Sequence, residues 1–356
     1  MSVTLVVWGL VIYVLASFVV AYISRSGESA SMSEYFIGGR SMGGVLSALS
    51  YSATTYSAFM MIGLAGLTFK GGVGALGFEI IYFAGVSLVA IFGPRFWAVG
   101  KKYGFVTPYE MLGTRYGSRW VAVAAGLVSL VFLIPYSAVQ LSGVGYLLSG
   151  MTGGGIPFLW GVVISTVLAI IFSYVAGIRS VMWTDSLQAL MMIVASVLVC
   201  GLVLIELGGF SGLFGAIQAT KPELLQVPGP GLFSFTTFLG LTIPWFFFAI
   251  SNPQVSQRLY MPASLKALRR MLVIFLCFGF VYTVVSVLWG FSAFVAFPEL
   301  EKGDLATSTL LASDLVPPFL GFMVMVGFLA AAVSTIDSIL LTLSSIFARD
   351  VWSNVT

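Results

Sequence analysis

Nine stretches of about 20 or more mostly apolar residues, separated by short polar segments, constrain this chain more than any other feature. They lie at roughly 3–23, 44–69, 74–98, 120–149, 156–177, 183–208, 232–256, 271–297 and 317–347. A run of that length, coiled as a helix, crosses a hydrocarbon core of about 30 Å. Only 8% of residues are charged and 59% are apolar, with a mean hydropathy of +1.06. That leaves too little charge to cover the surface of a soluble domain of 356 residues. In lipid, backbone groups must be satisfied within helices or a closed barrel. Barrel strands would read as short alternating segments, and none is visible. The chain is therefore expected to be an all-α membrane protein, with the lipid bilayer as its first partner. The first run is too long for a signal-peptide core and lacks a basic lead, so it reads as an anchor.

The placement of charge tests the span count. If the nine spans are real, alternate loops share one side of the membrane. One set of loops holds Arg25, Arg40, Arg95, Lys101, Lys102, Arg115, Arg119, Arg179, Arg258, Lys266, Arg269, Arg270 and Arg349, out of 16 basic residues. The other set holds only Lys70, Lys221 and Lys302. Basic residues collect on the cytoplasmic side, which predicts the N-terminus outside and residue 356 inside, in the cell membrane. Arg258, Lys266, Arg269 and Arg270 read as a cytoplasmic cluster facing anionic headgroups, with no nucleic acid required.

Absences narrow the chemistry. There is no histidine, which removes His-based metal sites, triads and proton relays. Cys200 and Cys277 are isolated in apolar runs, so no disulfide framework or CxxC site is suggested. No acidic cluster suits magnesium–diphosphate, and no organic cofactor is expected. An intramembrane enzyme would be left with Asp or Ser chemistry alone, so the chain is read as a non-enzyme.

Two spans carry polar residues where a lipid-facing helix would be aliphatic. The second span has Ser50-Tyr51-Ser52-Ala53-Thr54-Thr55-Tyr56-Ser57 at its centre, and the seventh has Ser251-Asn252-Pro253-Gln254 near its cytoplasmic end. Pro253 cannot donate to the Ala249 carbonyl and crowds that turn. Either feature alone is equally explained by hydroxyls bonding back along the helix or by a simple kink. Their positions, five spans apart, suit two inverted repeats whose first members are both broken. Such breaks line a central site in secondary transporters, where freed carbonyls bind a cation.

The last span reads Ala331-Ala332-Val333-Ser334-Thr335-Ile336-Asp337-Ser338. On a helical wheel Ala331, Ser334, Thr335, Ser338, Thr342 and Ser345 share an arc of roughly 100°. Hydroxyl and carbonyl oxygens are hard ligands suited to an alkali cation, although a helix-packing face glued by hydroxyls explains the pattern as well. A carboxylate deep in the bilayer is costly and usually faces the bundle interior. Asp185, Asp337 and Glu79 are the candidates. Asp185 is either interfacial or a cation ligand, and Asp337 either completes a site with it or is neutral and hydrogen-bonded. Glu206, Asp304 and Asp314 read as solvated ends.

Taken in order, several motifs resemble the sodium:solute symporter family, which includes proline, pantothenate, sialic acid and sugar transporters. They are Tyr35 to Arg40 (YFIGGR), Gly63 to Gly66 (GLAG), Pro108 to Gly117 (PYEMLGTRYG), Trp183 to Gln188 (WTDSLQ), Asn252-Pro253-Gln254 with Gln257-Arg258, and AAAVSTIDS leading to Ala348-Arg349-Asp350. The resemblance implies a leucine-transporter-like inverted-repeat bundle with one extra leading helix. Residues 1–43 would hold that helix and a cytoplasmic loop, 44–208 the first five-helix repeat, 209–231 an external loop and 232–356 a partial second repeat. It implies Na+ as coupling ion, bound by the carbonyls of Ala53, Tyr56 and Ala331 and the hydroxyls of Ser334 and Thr335. A second sodium site would draw on Asp185, Asp337 and Ser338, with Asp337 standing where a hydroxyl is expected. A small organic solute would meet Thr54, Ser57, Glu79, Asn252 and Gln254.

The resemblance also implies further helices beyond residue 356. The second repeat is thus expected to be incomplete, to be finished by a missing C-terminal segment or a second chain. The expected activity is sodium-coupled symport of a small organic solute by alternating access. A sensor built on a transporter-like fold, or a non-functional fragment, remain as alternatives.

Overall fold

A computed structural model describes residues 2–24, 31–57, 59–230 and 234–356, with the side chains of 173–176 also outside the description. Arg25 and Ala58, and the expected helix start at 232–233, lie outside the described residues. Among those described, seven helices are long and apolar enough to cross a membrane. Phe59–Gly71 and Phe158–Phe172 are shorter apolar helices.

The leading helix α1 (Val3–Ser24) matches its expected span. A short helix α2 (Met32–Ile37) follows, where the sequence suggested only a polar loop. Its cause is local. The Ser31 hydroxyl accepts from the Glu34 amide while the Glu34 carboxylate accepts from the Ser31 amide, which satisfies two free donors at the helix start.

The second expected span is interrupted. Helix α3 (Gly44–Thr55) ends at Tyr56, which leaves helical geometry at φ −88°, ψ 71°. The chain resumes as a π-type turn over Phe59–Leu64 and then α4 (Ala65–Gly71). The break falls at the end of the hydroxyl-rich run, so Ser50 to Thr55 remain helical. Helix α5 (Gly74–Tyr103) is followed by α6 (Pro108–Tyr116), a second short helix with a capping box, made by Thr107 and Glu110. Helix α7 (Arg119–Met151) comes next.

The loop expected between the fifth and sixth spans is absent. The stretch labelled α8 (Phe158–Glu206) is two helices joined directly at Gly177, whose φ 55° and ψ 170° are not helical. Only glycine adopts such a backbone at little cost. The segment at 209–231, expected as a loop, contains α9 (Gly209–Thr220). Helix α10 (Phe235–Ser251) stops at Asn252, whose side chain caps the one-turn α11 (Pro253–Ser256) by accepting from the Gln254 amide at 3.3 Å. The Ala249 carbonyl, freed by Pro253, accepts from Tyr51 Oη at 3.5 Å. The chain then runs through α12 (Leu265–Ala296), α13 (Ala306–Ala312) and α14 (Pro318–Ile346).

Helix α14 is the centre of the bundle, buried almost continuously from Val324 to Ile346 and packed chiefly on α8. Helix α7 instead presents Val128, Val131, Phe132 and Ile134 outward, an apolar face that suits lipid. Where α5 crosses α10 the backbones nearly touch. A Cβ at Gly85 would lie 1.8 Å from the Phe246 carbonyl oxygen. That close approach sets α10 directly over the segment of α5 that carries Glu79.

Candidate functional site

Two polar centres are buried in the bundle. The first lies where α3 meets α14. Thr335 Oγ1 donates to the Ala331 carbonyl at 2.9 Å and reaches the Ala53 carbonyl at 3.4 Å. One hydroxyl therefore bridges oxygens on both helices. Ser334 is buried beside it, with its hydroxyl next to the Asp185 carboxylate of α8. Neutral hydroxyl and carbonyl oxygens of this kind are hard ligands that fit a sodium ion. Tyr56 sits at the broken end of α3, with its ring stacked on Phe275 and its hydroxyl against Gly279 of α12.

Next to this group is a charged cluster. Asp185 of α8 accepts from Ser50 at 2.7 Å and pairs with Arg258 Nη2 at 3.1 Å. Arg258 also donates to Ser50 and, at 2.5 Å, to Ser338, which shares a 3.1 Å hydrogen bond with Thr54. The structure thus corrects the reading of Arg258. It is buried rather than part of a headgroup-facing surface, because the turn after Asn252–Pro253 folds it inward. Asp185 is likewise fully buried rather than interfacial. Asp337 is buried on the flank facing α1, near Tyr13, and Gln188 Nε2 donates to Tyr13 Oη at 3.0 Å. Asp185 and Ser338 are therefore brought together, but with a guanidinium between them. Thr54 joins this cluster and not the second centre.

The second centre is an aromatic box around Glu79. Trp245 Nε1 of α10 donates to Glu79 Oε1 at 3.2 Å. Trp245 stacks on Phe78 with centroids 5.1 Å apart and contacts Tyr82, Phe248 and Phe59. Glu79 Oε2 and the hydroxyls of Tyr56 and Tyr82 are buried with no hydrogen-bond partner among the described residues. The Tyr136 hydroxyl lies beside Ser57 and Gln254, which ties these two expected solute residues to the box. Asn252 is half-buried at the end of α10, its side chain spent on the α11 cap.

Sequence reasoning missed Ser50, Arg258, Trp245, Tyr82 and the surrounding phenylalanines. For Arg258 a signal existed, since it falls just over one turn beyond a predicted break. The aromatic residues carried none, because Phe and Tyr are spread through every span.

On the side of the bundle that holds Arg349 and Asp350 the centres are sealed. Gln257 donates to the Val106 carbonyl and to Ser345 and accepts from Thr342. Thr107 donates to Asp350 at 2.9 Å, and Arg349 pairs with Glu110. The Met42 N–H donates to the Met261 carbonyl at 3.3 Å and the Met42 carbonyl accepts from the Ala263 N–H at 2.9 Å across the same face. On the opposite side a crevice of about 310 Å³ opens between Phe59, Gly63, Ser142, Tyr146 and Asp304.

Comparison with known proteins bears on the family and the fold. The chain is 29% identical to the sodium/pantothenate symporter of Escherichia coli over 98% of its own length and 73% of the relative's. It is 27% identical to sodium/proline symporter 2 of Staphylococcus saprophyticus, covering 96% of this chain and 67% of that one. A solved outward-open, substrate-bound Na+-coupled sialic acid symporter superposes with a TM-score of 0.81 at 22% identity, over 99% of this chain and 74% of that chain. The family model for the sodium:solute symporters matches residues 35–356. A chain with this match and these buried centres belongs to the sodium:solute symporter family, membrane proteins that couple sodium to the movement of small solutes.

Proposed function

We propose that the chain carries a small organic solute with sodium by alternating access, and that sodium binds where α3 meets α14. The observation that carries this reading is the Thr335 hydroxyl bridging the Ala331 and Ala53 carbonyls beside the buried Ser334 hydroxyl. Sodium there, joined by the Tyr56 carbonyl, would tie the broken helix to the central one. The solute would occupy the aromatic box, with Glu79, Ser57 and Gln254 as polar contacts and Asn252 at its edge.

The Arg258–Asp185 pair is read as the inner gate. It bonds α8, α3 and α14 to the turn after α11, and solute release to the cytoplasm requires those elements to part. A second sodium at Asp185, Asp337 and Ser338 would need Arg258 to withdraw first. The N-terminus is placed outside and residue 356 inside, on the asymmetry of the basic residues. The two shorter apolar helices are taken to complete a set of nine crossings. Each positive charge moving inward gains about 2.3 kcal/mol per 100 mV, enough to concentrate a neutral solute on the order of tens of fold.

Thermal melting in detergent tests the ion site. Sodium should raise the melting temperature of the full chain relative to equal potassium, and the Ser334→Ala/Thr335→Ala double variant should lose that difference. An unchanged sodium response in the double variant would remove the assignment.

A further inference from the structure

Gln188 of α8 is buried, and one end of its side-chain amide is left over. Its Nε2 donates to Tyr13 Oη of α1 at 3.0 Å, while its Oε1 has no hydrogen-bond partner among the described residues. Gln188, Tyr13 and Ser17, all buried, form the floor of a cavity of about 330 Å³ between α1, α8 and α14. That volume falls at the lower end of the roughly 300–1,000 Å³ range of small-molecule sites. Thr184 also lines the cavity, but its hydroxyl bonds back to the Ser180 and Val181 carbonyls at 3.2 and 2.9 Å. The Gln188 amide is the group on the floor with bonding capacity to spare.

The rim is different in character. Ile12, Leu187 and Phe319 are 61%, 42% and 69% exposed, each on a helix long and apolar enough to cross a membrane. The mouth therefore opens onto lipid. No charged side chain lines the cavity among the described residues, Asp337 lying near Tyr13 but outside the lining. A bare alkyl chain would fill the apolar walls but leave the amide unpaired, in a medium with no water to serve it. An ion would leave water with no opposite charge on the walls to meet it. A hydroxyl is neutral and can both donate to and accept from an amide.

We propose that this cavity binds a neutral single-chain amphiphile with one hydroxyl, taken from the bilayer. Its chain lies between the α1 and α14 walls and its hydroxyl on Gln188. The site is separate from the sodium and solute centres, yet Asp185 of the buried ion pair lies only three residues before Gln188 on α8.

Photolabelling of the full chain in lipid nanodiscs tests this, with a diazirine-bearing octanol as the probe. The label should map to the lining residues of α1, α8 and α14. Excess octanol should remove it, whereas octane and octanoate at equal concentration in the bilayer should not. Gln188→Leu should weaken octanol competition at least tenfold. Ala16→Phe, which keeps the amide and fills the cavity from its α1 wall, should abolish the labelling. Octane competing as well as octanol would reveal a groove for acyl tails and overturn the proposal. Equal competition by octanoate, label spread evenly onto the lipid-facing side of α7, or unchanged competition in Gln188→Leu would also overturn it. Should Gln188→Leu fail to fold, full labelling of folded Ala16→Phe overturns it in the same way.

Discussion

Arg258 Nη2 lies 3.1 Å from Asp185 Oδ2, and both side chains are buried. Seventy-three residues separate them in the chain, so the pair joins α8 to the turn that follows the break in α10. Taking two ions out of water is costly, and their attraction compensates only when the remaining hydrogen bonds are also made. Here Ser50 and Ser338 make them.

Breaking one half of the pair should therefore cost more than removing both. Arg258→Met leaves Asp185 buried and uncompensated, and a loss of about 3–5 kcal/mol is expected. The double variant Arg258→Met/Asp185→Leu should recover most of that loss in chemical denaturation. If the single and double variants are equally unstable, the pair is not the coupled unit described. Under the gate reading the double variant should also leave the cytoplasmic side open, seen as faster labelling of a cysteine placed at Thr54.

Backbone contact between α5 and α10 makes a second prediction. A methyl at Gly85 meets the Phe246 carbonyl at 1.8 Å, whereas a methyl at Gly240 on the same α10 meets nothing within 4 Å. Gly85→Ala should destabilise by about 3 kcal/mol through overpacking. Gly240→Ala should be neutral or gain about 0.5–1 kcal/mol from helix propensity. Equal effects at the two positions would count against the close crossing that holds Trp245 over Glu79.

Orientation is open to direct test. With Cys200 and Cys277 replaced by serine, cysteines at Lys221 and Lys302 should react with a membrane-impermeant reagent in intact cells. Cysteines at Arg115 and Lys266 should react only after permeabilisation. The reverse pattern would invert the assigned topology.

Much of the bundle was legible because lipid imposes length and hydropathy on each helix. Most span positions agree within a few residues, and both helix breaks were visible, at Pro253 through its missing amide and in α3 through its hydroxyl run. The separation of the fifth and sixth spans was legible, but residues 178–182 are helical, because one glycine at positive φ breaks the helix without a polar turn. The short helices α2 and α6 did have a signal, Ser31-x-x-Glu34 and Thr107-x-x-Glu110, which marks a capping box. Partnerships across the bundle were the hidden part. Ser50 could be seen as polar, but its place between Asp185 and Arg258 depends on three elements meeting. Trp245 looked like one more apolar residue, and only the crossing at Gly85 brings it to Glu79.

The account turns on sodium held between α3 and α14. Equilibrium binding of radioactive sodium to the purified full chain, with potassium as the background salt, measures this most directly. Saturable binding is predicted, weakened at least tenfold by Ser334→Ala with Thr335→Ala and retained by Thr335→Ser. Binding that is absent in the unaltered chain, or untouched by loss of both hydroxyls, would contradict it.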